Sequence, residues 1–173
     1  MVKLKKVAAC IITAAVMLVF AGCGFRLVTV DGISMLPTLQ DGSMFIMTTS
    51  TGELRHNDII VIDIPIGSHD SSIIVTRITG LPGDEISIDF ESGFITRNGE
   101  VLPREIINGQ LYENGHRIMA PTHFAGDMAE GAFTVPENHL FVMGDNRNNS
   151  LDSRSDRIGF VDIENVMGRA IRV

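Results

Sequence analysis

The sequence predicts an all-β domain, a coiled or barrel-like set of short strands, standing behind one N-terminal transmembrane helix. Three observations carry this expectation. Short runs rich in Val, Ile and Thr recur from residue 26 to the C-terminus, most of them closed by Gly, Pro or Asn. Seventeen glycines are spread through the 173 residues, which suits turn-rich β structure better than helix. Val7 to Cys23 carries no charge at all. The length allows one domain of ordinary size, and an apolar share of 45% excludes a disordered chain.

As a helix, the stretch from Val7 to Cys23 rises about 25 Å, close to the shortest span for a hydrocarbon core of about 30 Å. Phe25 can extend it and Arg26 stops it. Lys3, Lys5 and Lys6 place the N-terminus in the cytoplasm and the bulk of the chain outside. The division is therefore a cytoplasmic N-terminus over 1–6, an anchor over 7–25 that meets the lipid bilayer, and an extracytoplasmic domain over 26–173. Two other readings compete: a cleaved secretory signal ending near Ala21-Gly22, and a lipoprotein-like signal, Phe20-Ala21-Gly22-Cys23, with lipid on Cys23.

Beyond the anchor, Arg26 to Val30 reads as a short strand broken by Asp31-Gly32, and Ser43 to Thr49 as a second. Ile59 to Ile64 is an almost continuous apolar run ending at Pro65, the pattern of a buried strand. Ile73 to Thr79 is another, closed by Gly80 and the Pro82-Gly83 turn. Glu85 to Asp89, Gly93 to Thr96 and Glu100 to Leu102 form shorter strands, with Asn98-Gly99 as a tight hairpin turn. The irregular stretch around 106–128 reads as an insertion or cap. Strands resume at Phe133 to Val135 and Leu140 to Met143. A helical turn capped by Asp162 follows, and Val166 to Val173 returns to the sheet.

Charge and cysteine narrow the function. All three lysines precede the anchor, and beyond it 11 arginines face 21 acidic residues. Such a surface argues against nucleic acid and against a polybasic clamp on anionic lipid. Both cysteines, Cys10 and Cys23, lie in the apolar segment, so the domain holds neither a disulfide framework nor a thiolate metal site. No cofactor or metal is expected.

Three blocks carry chemistry: Gly32-Ile33-Ser34-Met35-Leu36-Pro37-Thr38, then Arg77-Ile78-Thr79-Gly80-Leu81-Pro82-Gly83-Asp84, then Gly144-Asp145-Asn146-Arg147-Asn148-Asn149-Ser150-Leu151-Asp152-Ser153-Arg154. In this order, behind one apolar segment, they resemble the type I signal peptidases, membrane-anchored serine endopeptidases with a β-fold. The resemblance implies Ser34 as nucleophile and the Ser34 amide as oxyanion donor. Position 32 is glycine, so the hydroxyl donor that some relatives place there is missing. The residue before the arginine of the second block is the family's general-base lysine; here it is Thr76. Ser150 matches the hydroxyl that bonds that lysine. Asp152, Arg154 and Arg77 match a structural ion-pair cluster, and Asp145 lies beside the cleft.

A serine hydroxyl needs a neighbouring base to take its proton. Thr76 has no lone pair of that strength, and Arg77 stays protonated. Histidine serves in related peptidases of the endoplasmic reticulum and archaea, yet none of His56, His69, His116, His123 or His139 occupies position 76. His69 is expected in the loop before that strand. Two functions follow: a signal peptidase that removes signal peptides from secreted pre-proteins at the outer face of the bacterial plasma membrane, or a non-catalytic relative that binds signal-peptide or surface-protein segments as an assembly or chaperone factor.

Overall fold

The computed structural model describes residues 24–66, 69–89, 94–102, 131–147 and 149–171. The expected anchor up to Cys23, the expected insertion near 106–128, and His116 and His123 lie outside the described residues. Among the described residues no helix is long and apolar enough to cross a membrane.

The chain is all-β, with antiparallel pairing throughout the described strands. In chain order the strands are β1 (Phe25–Thr29), β2 (Met44–Thr48), β3 (Ile59–Ile66), β4 (His69–Gly80), β5 (Glu85–Ile88), β6 (Ile95–Arg97), β7 (Glu100–Val101), β8 (Ala132–Thr134), β9 (His139–Met143), β10 (Val161–Asp162) and β11 (Val166–Ala170). Seven of them form one sheet in the order β1-β2-β11-β3-β4-β9-β10, and β7-β6-β5-β8 form a second. The sequence pattern does not separate sandwich from barrel; among the described residues the pairing gives two open sheets, with β1 and β10 at the edges of the larger one.

The apolar run of β3 is explained by burial on both faces. Ile60 and Ile62 pack with Ile78, Leu140 and Val142 on one side. Ile59 and Val61 pack with Val30, Met35, Phe45 and Met47 on the other. A third cluster joins the small sheet to β9 through Ile86, Ile95, Phe133, Phe141 and Met143. Phe141 and Met143 point there while Leu140 and Val142 point to the β3 cluster, as strand alternation requires. Asn98 (φ 54°) and Gly99 (φ 81°) make the tight turn between β6 and β7, a backbone shape that Asn and Gly tolerate.

Three expectations need correction. Pro65 does not end β3: the strand runs on to Ile66, and the register with β4 shifts between Ile64 and Ile66, where an irregularity accommodates the missing N–H. His69 is not in a loop but opens β4, paired with Ile66. Phe25 does not extend the anchor helix but opens β1, paired with Thr48. Gly80 closes β4 as expected, and a Cβ there would lie 2.9 Å from Val135 Cγ2. The helical turn is a short 3-10 segment, Ile163–Asn165, whose cap Asp162 accepts from the Glu164 amide at 2.9 Å.

Candidate active site

Ser34 lies in the loop between β1 and β2, anchored by the buried side chains of Met35 and Leu39 on either side of a cis Leu36–Pro37 bond. It lines a cleft of about 610 Å³ together with β1, Met47, Val61, Ile73, Val75, Leu151 and Met167. The cleft is mostly apolar, and its charged groups are Arg26 and Asp31. It runs along β1, whose outer edge has no strand partner among the described residues.

The loop after β9 closes against Ser34. The Asn146 amide donates to the Ser34 carbonyl at 2.9 Å, and Asn146 Nδ2 donates to the Ile33 carbonyl at 3.1 Å. Gly144 is where the two loops touch: a Cβ at this position would collide with Ser150 Oγ and the Ser34 carbonyl oxygen.

Two ion pairs brace this contact. Arg77 grips Asp145 with Nε at 2.7 Å and Nη2 at 2.6 Å, while its Nη1 donates to the Asn57 carbonyl at 2.8 Å. Thr38 Oγ1 donates to the same Asp145 carboxylate. Asp145 thus ties the serine loop, β4 and the loop after β9 at one buried point. Arg154 and Asp152 form a second bidentate pair, both bonds 2.8 Å, and both residues are buried. Asp152 also accepts from the Gly144 amide at 3.1 Å and from Ser150. Burial works against its charge, but the Arg154 guanidinium and these hydrogen bonds outweigh it and hold the carboxyl below its ordinary range. Arg154 Nη2 in turn donates to the Arg147 carbonyl at 2.8 Å.

Thr76 is 1% exposed, and its Oγ1 has no hydrogen-bond partner among the described residues. It lies opposite Ile60 in the β3–β4 register, so alternation puts it on the face of Ile74 and Ile78; the cleft lining stops short of it, at Ile74 and Val75. The structure therefore brings Ser34, Asp145, Arg77, Ser150, Asp152 and Arg154 into one connected network and leaves the Thr76 hydroxyl outside it. Of the described histidine side chains, His56 Nε2 pairs with Asp84 at 2.6 Å and His139 Nδ1 faces the Glu137 carbonyl at 2.8 Å.

Three participants escaped the sequence reading. Thr38 and Asn146 sat inside the quoted blocks, but nothing in their types announced whom they would bond. Arg147 is 3% exposed, places Nη1 2.9 Å from Met143 Sδ and leaves Nε without a partner among the described residues. Burial and the Arg154 charge push its pKa down to about 9. No sequence signal marks an arginine that will be buried.

The family model for "Signal peptidase, peptidase S26" matches residues 3–173. The chain belongs to the signal peptidase family. It is 36% identical to "Signal peptidase I" of Bacillus licheniformis over 166 residues, covering 94% of this chain and 83% of that protein. It is 34% identical to "Signal peptidase I P" of Bacillus subtilis subsp. natto over 147 residues, 83% of this chain and 73% of that one. Among solved structures, a signal peptidase I from Enterococcus faecalis V583 aligns with a TM-score of 0.50 at 26% identity, covering 69% of this chain and 98% of that chain. The all-β architecture of this signal peptidase relative is therefore that of its family.

Proposed function

We propose that this chain is a signal peptidase I-like serine endopeptidase that takes the signal peptides of secreted pre-proteins as substrate. The observation that carries the reading is the placement of Ser34 on an apolar cleft, beside a β-strand edge, with its loop clamped by Asp145 and Asn146. An extended peptide would pair with β1 and lay alternate side chains into the cleft. Ser34 Oγ would attack the scissile carbonyl carbon while the Ser34 N–H holds the oxyanion; the hydroxyl proton would pass to the leaving amine as the C–N bond breaks, and water would then hydrolyse the acyl-Ser34 ester to free the carboxyl end. Asp152, Arg154, Arg77, Asp145 and Ser150 keep the loops in register and take no part in bond making. The names of the curated relatives support this reading, as does the family itself.

The same reading places the anchor expected over 7–25 in the plasma membrane, ending before Phe25, which pairs with Thr48 in β1, and sets the β-domain on the outer face. Phe25, Leu27, Met44 and Ile46 support it: they are exposed side by side on the outer face of β1 and β2, next to where the apolar segment ends.

A second reading is favoured by position 76. The buried, unpartnered Thr76 hydroxyl cannot take the Ser34 proton. On this reading the chain binds signal-peptide or surface-protein segments in the same cleft without cutting them. Loss of the base from a serine hydrolase unit can cost on the order of 10⁶ in turnover, so the two readings separate cleanly. The test is cleavage of a fluorogenic signal-peptide substrate by the full chain, alongside Ser34→Ala and Thr76→Lys. Cleavage by the wild type that Ser34→Ala abolishes establishes the peptidase with a base other than residue 76. Cleavage by Thr76→Lys alone establishes the binding role. No cleavage by either, with undiminished peptide binding, leaves binding as the function and removes the Ser34 chemistry.

A further inference from the structure

The Ser34 N–H and the Ile33 carbonyl belong to one peptide unit. The Leu36–Pro37 bond is the cis bond among the described residues, so the Ile33–Ser34 unit is trans and its N–H and C=O point in opposite directions. Whatever fixes the Ile33 carbonyl therefore aims the Ser34 N–H. Two donors fix it. The Leu36 amide does so at 3.2 Å, as part of the loop's own turn, and it moves whenever the loop moves. Asn146 Nδ2 does so at 3.1 Å from a loop 113 residues away in sequence. The Asn146 amide meanwhile holds the next carbonyl, that of Ser34, at 2.9 Å. One residue grips the carbonyls on both sides of the nucleophile. Among the described residues the Ser34 N–H itself has no acceptor, which leaves it free for a substrate oxygen.

We propose that Asn146 is a positioning residue: its side-chain amide holds the peptide between Ile33 and Ser34 so that the Ser34 N–H points at the developing oxyanion. The inference rests on the acyl-transfer reading of Ser34. The acceptor is a carbonyl, so only the nitrogen of the Asn146 amide can serve. Asn146→Asp keeps the shape and removes the donor, setting an anionic oxygen against the Ile33 carbonyl. Asn146→Ala removes the grip without repulsion. In both variants the backbone bond from residue 146 to Ser34 survives, which isolates the side chain's part.

The experiment uses the full chain in detergent micelles, as wild type and as Thr76→Lys, each with Asn146→Ala and Asn146→Asp. In whichever background cuts the fluorogenic peptide, kcat is expected to fall on the order of 10- to 100-fold, more for Asp than for Ala, with KM changed by no more than about twofold. The backbone amide resonance of Ser34 is expected to shift in both variants, most in Asn146→Asp. An unchanged kcat with an unchanged Ser34 resonance overturns the proposal. So does a loss of activity matched by a loss of thermal stability while the Ser34 resonance stays in place, since Asn146 would then be a structural brace. If neither background cuts, the peptidase reading fails, and the Ser34 resonance alone decides whether Asn146 aims the N–H.

Discussion

At Thr76 a hydroxyl is buried without a partner, inside a face formed by Ile74 and Ile78. Such a group forfeits its hydrogen bonds to water and gains none in return, at a cost of about 1–3 kcal/mol. Thr76→Val keeps the shape and removes the polar atom, so it is expected to stabilise the fold by about 1 kcal/mol in denaturant unfolding. A lower midpoint for the variant would mean that Thr76 finds a partner in solution. Gly144 is constrained in the opposite way. A methyl group there has nowhere to go between Ser150 Oγ and the Ser34 carbonyl, so Gly144→Ala is expected to cost about 1–3 kcal/mol by overpacking and to push the serine loop off the loop after β9. Unfolding curves read the first effect; loss of peptide binding or cleavage reads the second.

At the scale of elements, β3 and β4 are the spine of the larger sheet, and β4 supplies Arg77 to a site whose other members sit on the loops after β1 and β9. Ile62 is fully buried in the cluster with Ile78, Leu140 and Val142. Ile62→Ala is expected to cost about 2–5 kcal/mol, measured by urea titration. β4 ends by presenting Arg77 to Asp145, which also takes Thr38. This three-way joint explains why three blocks far apart in sequence belong together: each supplies one wall of the same contact. The runs from Ile59 and from Ile73 announced these strands plainly, because apolar β-branched residues in a row fit few other environments. The start of β4 at His69 was not legible, since His69 to Ser72 is polar and owes its strand conformation to pairing with β3.

Across the whole molecule, stability at low pH rests on carboxylates held in the charged form. Asp152 is held below its ordinary pKa by Arg154 and hydrogen bonds that overcome burial; Asp84 is held there by the Leu81 amide, His56 and Asn98, again against burial. Both bind fewer protons folded than unfolded, so their contribution is present above about pH 4 and lost as the pH falls through the folded values. Thermal unfolding is expected to fall steeply on acidification. Asp152→Asn, which leaves the Arg154 charge buried and unpaired, is expected to lose about 3–5 kcal/mol at neutral pH and to show a shallower acid limb. A variant as acid-sensitive as the wild type would move the effect to other carboxylates. The sequence by itself determined the β class, most strand positions and the family, and it singled out Ser34 as the candidate nucleophile, because strand periodicity, turn chemistry and contiguous motifs are local properties of the chain. Only the tertiary structure decided that Thr38, Arg77 and Asp145 share one joint, that Arg147 is buried, that Thr76 is left without a partner, and that Asn146 holds the peptide before Ser34. These are contacts between segments up to 113 residues apart, and residue type alone does not say which distant group a hydrogen bond will meet.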